Sequence, residues 1–224
     1  MKKLLIFFFL GLAVFSVAEE NTEKAELSYA FGMLVAEDLM DSGLEFDYDV
    51  FVQGFREAME KEETWFTIGE AMNKINTAFA AARTKLLERN LAEGTSFLAE
   101  NGQRPEVVVT PSGLQYEVIY EGTGETPGPA DAVLVHYRGA TISGGVFDTT
   151  YEKDEPMEIP LDRVIPGWSE GLRMMREGGK ARLYIPPELA YGENGAGNFI
   201  GPNAVLIFDV ELLSIMRSQV LVDD

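Results

Sequence analysis

From about residue 23 to residue 101 the apolar positions recur at helical spacing. Leu27, Phe31, Leu34 and Val35 make one stripe, which stops at Ser42-Gly43, where glycine suits the left-handed residue that ends many helices. Tyr48, Phe51, Val52, Phe55 and Met59 make a second, opened by the cap-like Asp47 and Asp49. A third opens with Thr67 and Glu70, the spacing of a capping box, in which each side chain bonds the other's backbone N–H. It continues through Ile68, Met72, Ile75, Phe79, Ala82 and Leu86 in alternating four- and three-residue steps, the seam of a coiled coil. Carried to Asn101-Gly102, this predicts a helix about 50 Å long at 1.5 Å per residue. Two short helices shield only one end of such a seam. The remainder packs against a second copy of the chain, or the three helices fold on one another; the length of uncovered stripe favours the second copy.

After Arg104-Pro105 the period changes. Residues 107–109, 114–120, 132–137, 181–185 and 204–213 are short runs rich in β-branched and aromatic side chains. Gly/Pro/Asp punctuation such as Glu121-Gly122-Thr123-Gly124 and Pro127-Gly128-Pro129 separates them. One helical stretch, about 168–175, interrupts the runs and is closed by Gly178-Gly179. Many strands with one helix predict an α+β domain, an antiparallel β-sheet wrapped around a short helix. Pro111-Ser112-Gly113 reads as the hinge end of a linker between the two regions.

At the N-terminus Lys2 and Lys3 precede an apolar run over residues 4–15, and Ser16-Val17-Ala18 supplies a small-x-small cleavage pattern. That is the layout of a secretory signal peptide over residues 1–18, and the run is short for a membrane span; an uncleaved N-terminal anchor is the alternative. No cysteine follows it to carry a lipid. An exported protein, in the periplasm or at the cell surface, works without ATP. Charge sharpens this picture. There are 37 acidic against 18 basic residues, a formal charge of −19, and such a field repels phosphate backbones and anionic lipid surfaces. The expected partners therefore include no nucleic acid and, after signal cleavage, no membrane.

Candidate chemistry is sparse. Without cysteine there is no thiolate nucleophile or cysteine metal site, and one histidine, His136, leaves no multi-histidine site. No Gly-rich phosphate loop and no G-x-S-x-G elbow is present. In the run 133–137, alternation puts Val133, Val135 and Tyr137 on one face and Leu134 and His136 on the other, so His136 faces away from the core if the valines face it. What stands out is a collection of rings: Tyr137, Phe147, Trp168, Tyr191, Phe199 and Phe208, with Val164, Ile165 and Ile200 beside them. Most such rings are core. Two details point to a site instead. Asp148 follows Phe147 in apolar surroundings, where a buried carboxylate needs partners. Tyr191 borders an irregular Gly/Asn-rich loop, the kind of segment that carries function.

The segments VHYRG (135–139), GGVFDTTY (144–151), VIPGWSEGL (164–172), IPPELAYG (185–192) and VLIFDVELL (205–213) occur in this order. Together they resemble the FKBP-type peptidyl-prolyl cis–trans isomerase domain over residues 110–217. The entry TPSGLQY (110–116), with a helical region and a signal peptide before it, is similar to the exported, dimeric members of that family, the macrophage infectivity potentiator type. The resemblance implies three parts: a signal peptide (1–18), an α-helical dimerisation or chaperone region with a long connecting helix (19–104), and the isomerase domain (110–217). It implies catalysis of X-Pro bond rotation by Asp148, Tyr191 and Trp168, with proline-containing polypeptides gripped by Tyr137, Phe147, Val164, Ile165, Phe199, Ile200 and Phe208. No cofactor and no metal is implied, and the chain is implied to be a homodimer through residues 19–104. The rival reading is a dimeric holdase chaperone or surface interaction protein with little isomerase activity. Two positions depart from the family pattern. Ala196 stands where several members have histidine. Lys153, or a residue displaced nearby, stands for an arginine that supports the pocket aspartate, and lysine lacks the planar fork.

Overall fold

The computed structural model describes residues 7–40, 42–197 and 199–217. The lysines of the signal-peptide reading, and residues 4–6 of its apolar run, lie outside them; residues 7–18 open the first helix. The chain divides into two compact units, residues 1–82 and 83–224.

The first unit holds α1 (Phe7–Met40), α2 (Tyr48–Glu60) and the first half of α3 (Ile68–Asn101). Their ends follow the local chemistry of the sequence. The Asp47 carboxylate accepts from the backbone N–H groups of Asp49 and Val50, and Gly43 takes a positive φ of 69° after α1. The capping box closes both ways: the Thr67 N–H donates to Glu70 Oε2 at 2.9 Å, and the Glu70 N–H to Thr67 Oγ1 at 3.3 Å. None of the residues from 22 to 82 whose exposure is described is buried. Leu27, Phe31, Leu34, Phe55, Met72 and Ile75 all stand open. Among the described residues no helix is long and apolar enough to cross a membrane.

The second unit contains the rest of α3 and a seven-stranded antiparallel sheet. Its strands are β1 (Val107–Val109), β2 (Gln115–Tyr120), β3 (Ala132–Thr141), β4 (Val146–Thr149), β5 (Met157–Pro160), β6 (Lys180–Ile185) and β7 (Leu206–Met216). They run in the order β1-β2-β6-β7-β3-β4, with β5 beside the first half of β3. A short helix, α4 (Pro166–Met174), lies against one face. This is the α+β architecture expected from the period change. The sequence pattern missed β4 and β5, four residues each, which lie at the sheet edge against opposite halves of β3. Pro111-Ser112-Gly113 is not a hinge. Val107–Val109 pairs with residues 115–117, and these three residues are the turn of that hairpin, with Gly113 at φ 94°.

Alternation along β3 buries Val133, Val135 and Tyr137 and turns His136 to the other face. There His136 stacks on Tyr151 with ring centroids 5.0 Å apart, and its Nδ1 lies 3.0 Å from Thr150 Oγ1. The core collects Leu114, Leu172, Leu183, Ile185, Val210 and Leu212 between sheet and helix. Two glycines let α4 approach closely. A Cβ on Gly167 would stand 2.4 Å from Ile185 Cγ2, and one on Gly171 would stand 2.7 Å from both methyls of Leu183. Gly171→Val should therefore overpack this contact, lowering stability by about 1–3 kcal/mol in urea unfolding. An unchanged midpoint would mean that the helix has room to move.

Candidate functional site

The site grows from a register defect. In a regular strand neighbouring side chains point to opposite faces. β3 pairs Gly139 with Asp148 but Ala140 with Val146, so the register slips at Phe147. This bulge re-aims the strand locally, and Phe147 and Asp148, adjacent in sequence, line the same cleft. Gly139 sits beneath them. A Cβ there would meet Phe147 Cε2 at 2.6 Å and Phe208 Cε1 at 2.7 Å, so only glycine lets both rings lie across the strand. Gly139 also pairs directly with Phe208 on β7. Pro166 takes the first turn of α4, where its missing N–H costs nothing, and Trp168 follows two residues on.

These elements assemble a box of rings. Trp168 meets Tyr137 and Phe208 edge-on, each with centroids 5.0 Å apart and interplanar angles of 89° and 86°. Phe147 meets Phe208 at 5.5 Å and 80°. Edge-to-face packing of this kind holds rings in place beyond what their burial gives. Trp168 is only 4% exposed, and its indole N–H has no hydrogen-bond partner among the described residues. Above the box opens a cleft of about 460 Å³. Val164, Ile165 and Ile200 continue its apolar wall, and Tyr191 and Phe199 stand at the mouth, 41% and 75% exposed. All ten site residues named from the sequence thus line one cleft.

Three further residues line it. Ile159 comes from β5, a strand of four residues, too short to show a period. Ala196 comes from the loop after Tyr191. Arg163, directly before Val164-Ile165, is the one base on the wall. Lys153 is exposed and absent from the lining.

The carboxylate is arranged differently from the sequence reading. Asp148 is exposed rather than buried, because β4 is an edge strand and the cleft mouth is open. Its partner is the Tyr137 hydroxyl, which donates to Oδ2. No arginine or lysine bonds it among the described residues. Tyr137 is held protonated well above the ordinary tyrosine range, first by burial and then by this bond and by the carboxylate's charge. The two tyrosines therefore differ. The hydroxyl of Tyr137 is committed to Asp148, whereas no described residue bonds the hydroxyl of Tyr191.

An apolar cleft with a spare hydroxyl at its mouth, and no serine, threonine or cysteine in its lining, suits an apolar ring with a carbonyl beside it. The sequence profile described as "FKBP-type peptidyl-prolyl cis-trans isomerase" matches residues 123–213, and that described as "Domain amino terminal to FKBP-type peptidyl-prolyl isomerase" matches residues 24–118. The chain belongs to the FKBP-type peptidyl-prolyl cis–trans isomerase family. It is 41% identical over 200 residues to the FKBP-type 22 kDa peptidyl-prolyl cis–trans isomerase of Escherichia coli, covering 88% of this chain and 97% of the relative. It is 35% identical over 215 residues to the outer membrane protein MIP of Legionella longbeachae, covering 93% and 92%. The crystal structure of FkpA from Escherichia coli matches with a TM-score of 0.70 at 32% identity, over 89% of this chain and 98% of that one. The protein is an isomerase of this type.

The Tyr137 proton gives a pH signature. Its folded-state pKa lies above the unfolded value of about 10, so its stabilising contribution is complete below pH ~10 and is lost as pH rises beyond it. Tyr116, pushed up to about 12 by burial, acts with the same sign. Alkaline unfolding followed by circular dichroism should show stability falling above pH ~10, and less steeply in Tyr137→Phe. Identical slopes would show that Tyr137 carries no such linkage.

Proposed function

We propose that the ring-lined cleft rotates X-Pro bonds in exported polypeptides, with Trp168 as its floor, Tyr191 as the donor to the substrate carbonyl and Asp148 as the local charge. The single observation carrying these roles is the box formed by Tyr137, Phe147, Trp168 and Phe208 under an open cleft. An X-Pro bond resists rotation by about 18–20 kcal/mol because resonance gives C–N double-bond character. Uncatalysed interconversion takes tens to hundreds of seconds, slow enough to limit folding. No bond breaks, so no nucleophile or cofactor is needed. The planar amide carries more charge separation than the twisted transition state, and water solvates that charge well. An apolar cleft solvates it less well, so moving the bond out of water narrows the gap between the two. Each 1.36 kcal/mol of that difference is a factor of ten in rate.

Val164, Ile165, Ile200 and the rings would hold the pyrrolidine, and Phe199 would cover it from the mouth. Tyr137, by fixing Asp148, keeps a negative charge at one wall while Tyr191 orients the carbonyl. Arg163 adds a positive charge to a protein of formal charge −19.

The helical region supports a homodimer formed through residues 19–104. A unit whose described side chains from 22 to 82 are all unburied lacks a core of its own. Between α2 and the start of α3 it also carries an apolar groove of about 800 Å³, lined by Phe46, Phe51, Phe55, Trp65, Phe66 and Ile75. A second copy supplies the missing apolar surface. The same exposed rings favour a chaperone role toward unfolded clients. The residue 1–18 pattern, and a relative named an outer membrane protein, support export, with the periplasm as the destination.

In an NMR exchange or protease-coupled assay on a proline peptide, Asp148→Ala and Phe208→Ala should each lower kcat/KM by about tenfold or more. Phe208→Ala that still prevents client aggregation would favour the holdase role beside catalysis, and full isomerase activity in both variants would remove the catalytic role of the cleft. Sedimentation of residues 19–224 at micromolar concentration should give twice the chain mass. A monomer there would end the dimer reading.

A further inference from the structure

The coiled-coil seam of α3 does not simply continue to its end. From Arg83 onward the helix belongs to the sheet unit: its last turns meet the sheet, through Phe97 on Tyr184 and Asn101 on Gln115, and its earlier turns meet the loop that brings Tyr191, Ala196, Phe199 and Ile200 to the cleft. Arg83 donates to the Glu193 carbonyl at 2.8 Å. Two turns later the Asn90 amide donates to the carbonyl of the buried Pro202 at 2.7 Å. Leu86 lies beside Gly201, where a Cβ would be 3.7 Å from its Cδ2. One turn beyond Asn90 comes Gly94, buried in mid-helix, where glycine costs about 1 kcal/mol relative to alanine. Its place is explained by proximity: a Cβ there would stand 2.8 Å from Val205 Cγ2. The helix is thus pressed on the loop's far end and bonded to it at two points.

Ile200 and Ala196 seat the loop on the core, and within the loop the bonds are few. Its base is closed by the Asn203 N–H donating to the Gly192 carbonyl at 2.8 Å, and its tip by the Ala196–Ile200 pair at 2.8 and 3.1 Å. Gly192, Gly195 and Gly197 sit at positive φ, and glycine gives this stretch a backbone of low intrinsic stiffness. Four cleft residues depend on where this loop stands. We propose that α3, through Arg83 and Asn90, positions the cleft-lining loop of the isomerase site, making Asn90 a positioning residue for substrate binding. This rests on the cleft being the place where proline binds. It assigns the second half of α3 a part in the active site, not only in joining two regions.

Loss of this support should produce a selective defect. Asn90→Leu in the full chain keeps the bulk and removes the donor, so the loop should loosen while the sheet does not. KM for a proline peptide should rise roughly fivefold with kcat changed less than about twofold, since the wall rather than the ring box is disturbed. Amide exchange at Ala196 and Ile200 should quicken by about tenfold, with that of Val210 in β7 unaltered. Arg83→Met, an exposed change that leaves the fold intact, should move both readouts the same way by a smaller amount. An unchanged KM with unchanged loop exchange would overturn the proposal. So would exchange that quickens equally at Val210, which would make Asn90 a matter of global stability. Phe208→Ala separates the two failures: if it too retains full activity, the cleft assignment is at fault, and if it alone loses activity, only the role of α3 falls.

Discussion

The antiparallel pairing of β3 with β7, Gly139 opposite Phe208, is the constraint on which the rest of this molecule depends. It sets Tyr137 and Phe208 side by side on one face of the sheet, and the bare glycine leaves room for Phe147 to cross over. Trp168 then fills the space between them from α4, which is itself able to come so near only through Gly167 and Gly171. Rings meeting edge-to-face hold one another in place beyond what their burial gives. A reaction in which the protein makes no covalent bond relies wholly on binding the transition state better than the ground state, and so on where such side chains are placed.

Polar groups enter this apolar box sparingly and in a division of labour. Tyr137 spends its hydroxyl on Asp148 and fixes the carboxylate at the wall, while the hydroxyl of Tyr191 at the mouth is bonded by no described residue. The indole N–H of Trp168 goes without an acceptor among the described residues, a cost of about 1–3 kcal/mol set against the burial of the whole ring. The opposite face of β3 is used for structure: His136 is held there by Thr150 and Tyr151. One strand therefore separates a cleft-lining face from a stabilising one by alternation alone.

The two units solve the problem of covering apolar surface in different ways. The sheet unit buries its own, with Leu183, Val210 and Leu212 wholly enclosed. The helical unit leaves Phe31, Phe55 and Met72 exposed, although its helix ends are capped as well as any in the chain. Caps and propensity set where a helix begins and ends; only packing supplies most of its stability. α3 shows the change of role within one element. Its apolar seam is open in the first half, and in the second half Asn90 and Gly94 meet the loop of the cleft.

Local chemistry was legible in the sequence because it acts over a few residues: the Thr67–Glu70 box, the Asp47 cap, the switch from helical period to short strands, and the inside–outside alternation of Val133 to Tyr137. The five ordered motifs likewise carried the family, since the residues that make the cleft are unusual enough to be recognised as text. What the text did not hold were relations between distant residues. The edge strands β4 and β5 are too short to show a period and exist because β3 offers them partners. Pro111-Ser112-Gly113 looks like a linker until Val107–Val109 is seen paired with residues 115–117. Asp148 reads as a buried charge because its neighbours are apolar, yet the open cleft mouth exposes it and the partner it needs lies across a bulged register on β3. Sequence determined what each segment tends to be, because propensity, capping and period are local; the tertiary structure alone decided which segments meet, because register and close approach are set by contacts that no short stretch of chain contains.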